Sequence, residues 1–133
     1  MLDELDCFEV EPYVYPQNVL GDEHPQFGLG RNSWLSGTAS WAYQSATQRI
    51  LGIRADYAGL AVDPRVPGAW KGFAVTRRFR GATYRIRVLN PRGAGKGVSR
   101  ASIDGRALAV KDGLALLPLM PSGTVHEAEI ELG

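Results

Sequence analysis

Cysteine is almost missing from this chain. Cys7 is the one thiol among 133 residues, so no internal disulfide framework is available and a reducing compartment fits. Long apolar runs are missing too, with nothing near the roughly eighteen residues that a membrane span needs. The opening, MLDELDCFEVEP, is acidic and has neither a basic start nor an apolar centre. A secretory leader is therefore not expected, and a cytoplasmic setting is. Metal ligands are sparse. His24 and His126 lie far apart and Cys7 stands alone, so no metal is expected. GxSxG elbows, Walker loops and dinucleotide fingerprints are lacking, as are internal repeats and low-complexity runs.

Positive charge is lacking from the first 24 residues, which carry seven acids: Asp3, Glu4, Asp6, Glu9, Glu11, Asp22 and Glu23. Residues 65–111 reverse this, with twelve Lys or Arg against the single acid Asp104. The net charge of +1 hides that contrast, and the two ends read as having different jobs. Hydrophobic residues make up 44% of the chain, enough for a core and against wholesale disorder. Sixteen glycines and eight prolines favour a turn-rich, strand-rich chain over a helical bundle.

Residues 1–32 read as extended and looped. Pro12, Pro16 and Pro25 oppose helix, and Gly21, Gly28 and Gly30 punctuate the rest. Tyr13, Tyr15 and Phe27 are scattered through a stretch too polar to fold alone. Residues 33–51 read as one helix, with Asn32 or Ser33 as N-cap and Gly52 just past its end. Its body holds one charge, Arg49, so the pattern predicts a helix buried on most sides. So short a chain can hardly surround it, so its neighbours are expected elsewhere.

Residues 53–133 read as β structure. In ATYRIRVLNP, Tyr84, Ile86 and Val88 alternate with Arg85 and Arg87. Phe73, Val75 and Phe79 mark the strand before, with Gly81 in hairpin position. Val98–Ile103, a turn at Asp104-Gly105, strands near 106–110 and 113–118, and a last strand near 124–132 follow. The fold class read from this is mainly β: an antiparallel, jelly-roll-like sandwich over residues 53–133, preceded by a loop and one helix over residues 1–52.

Three segments invite a chemical reading. RGAGKG (92–97) has neither P-loop spacing nor a helix after it, and reads as a turn between strands. SWLSGTASW (33–41) opens the helix, where backbone N–H groups and the macrodipole suit an anion. Ser36, Gly37 and Thr38 there offer two hydroxyls and one point of close backbone approach. The same small residues equally suit tight helix packing. TRRFRG (76–81), with Arg85, Arg87 and Arg92, fits either nucleic-acid binding or the solvated face of a sheet. Without a nucleic-acid motif the sheet face is preferred.

Motifs in order along the chain carry a resemblance. EPYVY, SWLSGTASW, LGIR, DPRVPGAWKGF and TRRFRGATY, within residues 9–133, are similar to the end of glycoside hydrolase family 94, the inverting disaccharide phosphorylases. Members act on cellobiose, cellodextrins or N,N′-diacetylchitobiose. The resemblance implies an (α/α)6 barrel whose last piece is residues 1–52, followed by a C-terminal β-sandwich. It implies attack of inorganic phosphate on the anomeric carbon of a β-linked disaccharide, with inversion, giving an α-sugar 1-phosphate and a free sugar. Phosphate then stands where an inverting hydrolase places water. Phosphate is a co-substrate, and no cofactor is expected.

By the same resemblance Ser36, Gly37 and Thr38 contact phosphate, Ser36 replacing a threonine, and Gln17 holds the donor sugar. Glu11 and Tyr13 sit on that rim in structural roles. The general acid lies upstream, so this chain holds no catalytic residue and is expected to be inactive alone. Expected partners are the disaccharide, phosphate, the rest of the barrel and, in a homodimer, a second copy, with no nucleic acid or membrane. The alternatives are a sandwich that binds carbohydrate without catalysis, with Trp70 and Tyr57 as its candidate exposed aromatics, and a basic nucleic-acid-binding domain.

Overall fold

A computed structural model describes residues 5–11, 14–34 and 37–133. The chain separates into two compact units, Met1–Gln44 and Ser45–Gly133.

The first unit is sparse in regular structure. A short helix, α1 (Leu5–Phe8), precedes a two-residue antiparallel ribbon of β1 (Asn18–Val19) and β2 (Gly30–Arg31). Between them the chain folds through consecutive tight turns, His24 N–H donating to Gly21 and Phe27 N–H to His24. The helix α2 (Thr38–Gln44) closes the unit.

The single helix expected over 33–51 is therefore shorter and divided. Ser33 and Trp34 lie in a turn, and α2 starts where Trp41 N–H first reaches the Gly37 carbonyl at 3.1 Å. Ser45–Ile50 then widen to π-helical geometry, with Leu51 N–H bonded to Ala46, five residues back, at 2.8 Å. Gly52, at φ +69°, ends the run. A Cβ there would collide with the Asp63 carbonyl, so glycine is required on two counts. Within this chain the helix is not buried. No residue of α2 is buried, and Trp41 and Tyr43 are 69% and 65% exposed. Among the described residues of the first unit, no second layer covers them.

The second unit is a two-sheet sandwich. One sheet orders β3 (Ile53–Asp56), β4 (Gly59–Val62), β10 (Leu114–Pro118) and β9 (Val110–Lys111) as β3-β4-β10-β9. The other sheet holds β5 (Gly72–Phe79), β6 (Ala82–Leu89), β7 (Val98–Ile103), β8 (Arg106–Leu108) and β11 (Val125–Leu132). Its order is β5-β6-β11-β7-β8.

Three hairpins turn on two residues: Arg80-Gly81, Asp104-Gly105 and Asp112-Gly113. All six have positive φ, the requirement of the type I′ turns that match strand twist. The expected antiparallel sandwich has one exception. β11 inserts between β6 and β7, which run in opposite directions, so it must be parallel to one of them. It pairs antiparallel with β7 and parallel with β6.

Alternation builds the core. Tyr84, Ile86 and Val88 of β6 and Ala128, Ile130 and Leu132 of β11 meet Leu60, Val62, Ala115 and Leu117 of the facing sheet, all buried. Two polar side chains are enclosed and satisfied. The Tyr84 hydroxyl donates to the Pro118 carbonyl at 2.9 Å and accepts from Met120 N–H at 3.0 Å. Asn90, fully buried, donates to the Trp70 carbonyl at 2.9 Å. Its Oδ1 lies 3.5 Å from Gly95 N.

Candidate functional site

The residues singled out in the sequence fall in the first unit. Gln17 enters the β1–β2 ribbon, its N–H donating to the Arg31 carbonyl at 3.0 Å. Its side-chain oxygen accepts from Asn32 Nδ2 at 3.3 Å. Asn32 has φ +56°, a conformation asparagine tolerates better than most residues, and it turns the chain from β2 toward α2. The next residue, Ser33, hydrogen-bonds the Glu11 carboxylate. That bond, helped by one from the Glu11 backbone and one from Trp34, holds the Glu11 carboxyl below its ordinary range.

Gly37 and Thr38 stand at the start of α2, where N–H groups point out of the helix end. A Cβ on Gly37 would meet only ordinary contact with the Trp41 ring at 3.7 Å. Crowding therefore does not demand glycine there. Ser36 and Tyr13 lie outside the described residues.

The structure thus joins Gln17 to Asn32 and Glu11 to Ser33, on the short segment that leads to Gly37. In the sequence Asn32 reads only as a cap. Its tie to Gln17, fifteen residues away, depends on the β1–β2 pairing, and two-residue strands leave no periodic signal.

Elsewhere the sequence candidates take structural parts. RGAGKG is a loop whose Gly95 carbonyl accepts from Val66 N–H at 2.7 Å. The arginines of β6 and β7 face the acids of β11, which lies between them. Arg85 is in register with Glu127 and bonded at 3.1 Å, and Arg100 with Glu131 at 2.6 Å, while Arg87 pairs with Glu129 in register. Two members of the basic stretch, Arg85 and Arg100, are thus ion-paired on a sheet face, and their acids lie some thirty to forty positions further along.

Sequence reasoning missed one cluster, on the sandwich. His126 Nδ1 lies 2.6 Å from Asp104 Oδ2 and its Nε2 2.6 Å from Thr124 Oγ1. Thr124 Oγ1 also donates to the Pro121 carbonyl at 2.6 Å, and Asp104 Oδ1 accepts Glu127 N–H at 2.9 Å. These bonds, His126 first, hold the Asp104 carboxyl below its ordinary range. The chain of bonds pins the 121–124 loop to the β7–β8 turn. Among the described residues no three His, Cys, Asp or Glu are grouped to hold a metal, and no helix is long and apolar enough to cross a membrane.

Comparison with known proteins gives this arrangement a family. Residues 1–52 match the profile of the Glycosyl hydrolase 94 superfamily, catalytic domain. The chain is 40% identical over 131 residues to N,N'-diacetylchitobiose phosphorylase of Vibrio furnissii, covering 98% of this chain and 16% of that protein. It is 39% identical over 123 residues to the enzyme of the same description from Vibrio proteolyticus, covering 92% of this chain and 15% of the relative. Solabiose phosphorylase of Paenibacillus borealis is 29% identical over 122 residues, again 92% of this chain and 15% of the relative. The chain belongs to glycoside hydrolase family 94. It spans about a sixth of the length of the curated relatives it matches.

Proposed function

We propose that this chain is the closing segment of a cytoplasmic disaccharide phosphorylase. In this reading residues 1–52 complete the catalytic barrel and residues 53–133 form the sandwich that follows it. The observation that carries it is 40% identity running through both parts, together with uncovered aromatic rings in α2 and in the turn before it. Trp34, Trp41 and Tyr43 are 76%, 69% and 65% exposed. A charge-poor segment with outward aromatic rings suits the interior of a larger assembly.

The chemistry follows from what such a site must do. Phosphate attacks the anomeric carbon of a β-linked disaccharide while a carboxylic acid protonates the departing oxygen, giving an α-sugar 1-phosphate. Ser36, Gly37 and Thr38 supply hydroxyls and backbone N–H groups to phosphate at the helix start. Gln17 hydrogen-bonds a hydroxyl of the donor sugar, oriented by Asn32. The acid belongs to the part of the barrel outside this chain. The pure chain is therefore expected to release no sugar 1-phosphate from cellobiose or N,N′-diacetylchitobiose, and release would overturn the assignment of the acid.

The anion site is tested by titrating the chain with phosphate and sulfate and following amide NMR signals. Saturable shifts centred on Gly37 and Thr38 are expected. Silence at both, with the β signals well dispersed, overturns a preformed phosphate site.

A further inference from the structure

The sandwich carries a cleft distant in sequence from the segment that holds Gln17 and Gly37. It measures about 330 Å³ and is lined by Ala55, Asp56, Tyr57, Phe79 and Arg80. One wall is the end of β3 and its turn. The other is the end of β5 and its turn, contributed by the facing sheet. We propose that this cleft binds the ring of a neutral pyranoside.

The lining makes the argument. Tyr57 is 93% exposed at the β3–β4 turn. The turn itself is secured by other means. Asp56 Oδ1 accepts Ala58 N–H at 3.0 Å, and Gly59, at φ +154°, passes the Leu117 carbonyl where a Cβ would collide. Nothing in that turn needs an aromatic at position 57. Opposite it, Phe79 packs against the core and the Arg80 guanidinium lies over its ring, 5.4 Å from the centre, so this wall presents the charge and Tyr57 the open ring. Trp70 differs. Its ring packs edge-on against Phe73 at 6.5 Å and its carbonyl accepts from Asn90, so it is built into the fold.

Charge selects the ligand. Among the described residues neither Asp56 nor Arg80 forms an ion pair. A carboxylate accepts hydroxyl hydrogens and a guanidinium donates to hydroxyl oxygens. The Tyr57 ring is open to cover the apolar face of a pyranose, as mostly apolar pockets with a few convergent polar groups do for small ligands. With one group of each sign, the cleft has no net preference for an anion or a cation, and a neutral polyhydroxy ring can satisfy both by hydrogen bonds.

Amide NMR of the full chain tests this, with methyl β-D-glucopyranoside, N,N′-diacetylchitobiose and inorganic phosphate as separate probes. Either sugar is expected to give saturable shifts at residues 55–58 and 79–81, with millimolar affinity. Tyr57→Ala is expected to weaken binding about tenfold or more. Asp56→Asn, which keeps the bond to Ala58, is expected to weaken it less. No saturable response to either sugar, a response unchanged in both variants, or a response to phosphate alone overturns the proposal. The readout is separate from Gly37 and Thr38, so failure here leaves the phosphorylase reading standing, and the reverse.

Discussion

The two units differ in whether they enclose a sealed interior. In Met1–Gln44 the rings face outward, Trp34 at 76%, Trp41 at 69% and Tyr43 at 65% exposure. In Ser45–Gly133, Tyr84, Leu60, Ile86, Leu117 and Ile130 are essentially sealed. The difference separates a domain from a face. A sandwich of two sheets closes its own apolar surface and can be stable as it stands. A ribbon of two-residue strands with one uncovered helix has an apolar surface that awaits a cover. That contrast is what the barrel reading needs, and it is open to direct attack.

The largest effect is expected from core truncation in the sandwich. Leu117→Ala empties a fully buried position opposite Leu60 and is expected to cost about 2–5 kcal/mol in urea unfolding of the chain. Trp41→Ala removes a larger side chain, yet one already in water, and is expected to move the midpoint by less than about 0.5 kcal/mol. Comparable losses from the two substitutions would break the comparison, because Trp41 would then be part of a core.

A middle-sized effect sharpens the picture of how the sandwich is sealed. Tyr84→Phe keeps the ring but deprives the Pro118 carbonyl and Met120 N–H of their partner. The expected loss is about 1–3 kcal/mol, since a polar group left unpaired in a buried site carries its desolvation cost. Hydrogen exchange at Met120 is expected to accelerate in the variant while amides in the middle of β6 stay protected. Unchanged exchange at Met120 would show that the hydroxyl does not hold this loop.

How much of this was legible beforehand follows from what kind of signal each element carries. β6 and β11 alternate apolar and charged residues over eight positions, so their faces could be read directly. The Asp104-Gly105 turn was readable from residue type alone. The β3–β4 hairpin was not picked out as a pair. All four residues of β4 are buried, so its alternation vanishes. The parallel pairing of β11 with β6 depends on chain topology, which no local pattern records. For the candidate site, Gln17, Gly37 and Thr38 came from motif and resemblance, whereas the bond to Asn32 came only with the ribbon. The helix was over-extended because composition reports apolarity and cannot say that half the run widens to π geometry.

The smallest effect is electrostatic, and it sets one acid in each unit against the other. Glu11 and Asp104 are both held below their ordinary values, the first by Ser33 and the second by His126. A carboxyl lowered in the folded state adds stability above its unfolded pKa, 3.8 for an ordinary aspartate. That contribution is lost as pH falls through the lower, folded value. Asp104→Asn keeps a residue that tolerates the turn's positive φ and removes the titration. The stability gap between the wild-type chain and this variant is therefore expected to be widest near neutral pH and to narrow on acidification below about 3.8. Glu11→Gln removes a titration of the same sign from the unit that has no sealed core. Thermal unfolding of the sandwich, followed between neutral and strongly acidic pH, is expected to be the same with and without it. A gap for Asp104→Asn that does not change with pH would show that the His126 bond is not carried by charge. A pH-dependent gap for Glu11→Gln would show that the two units unfold as one, and the contrast between domain and face would fail.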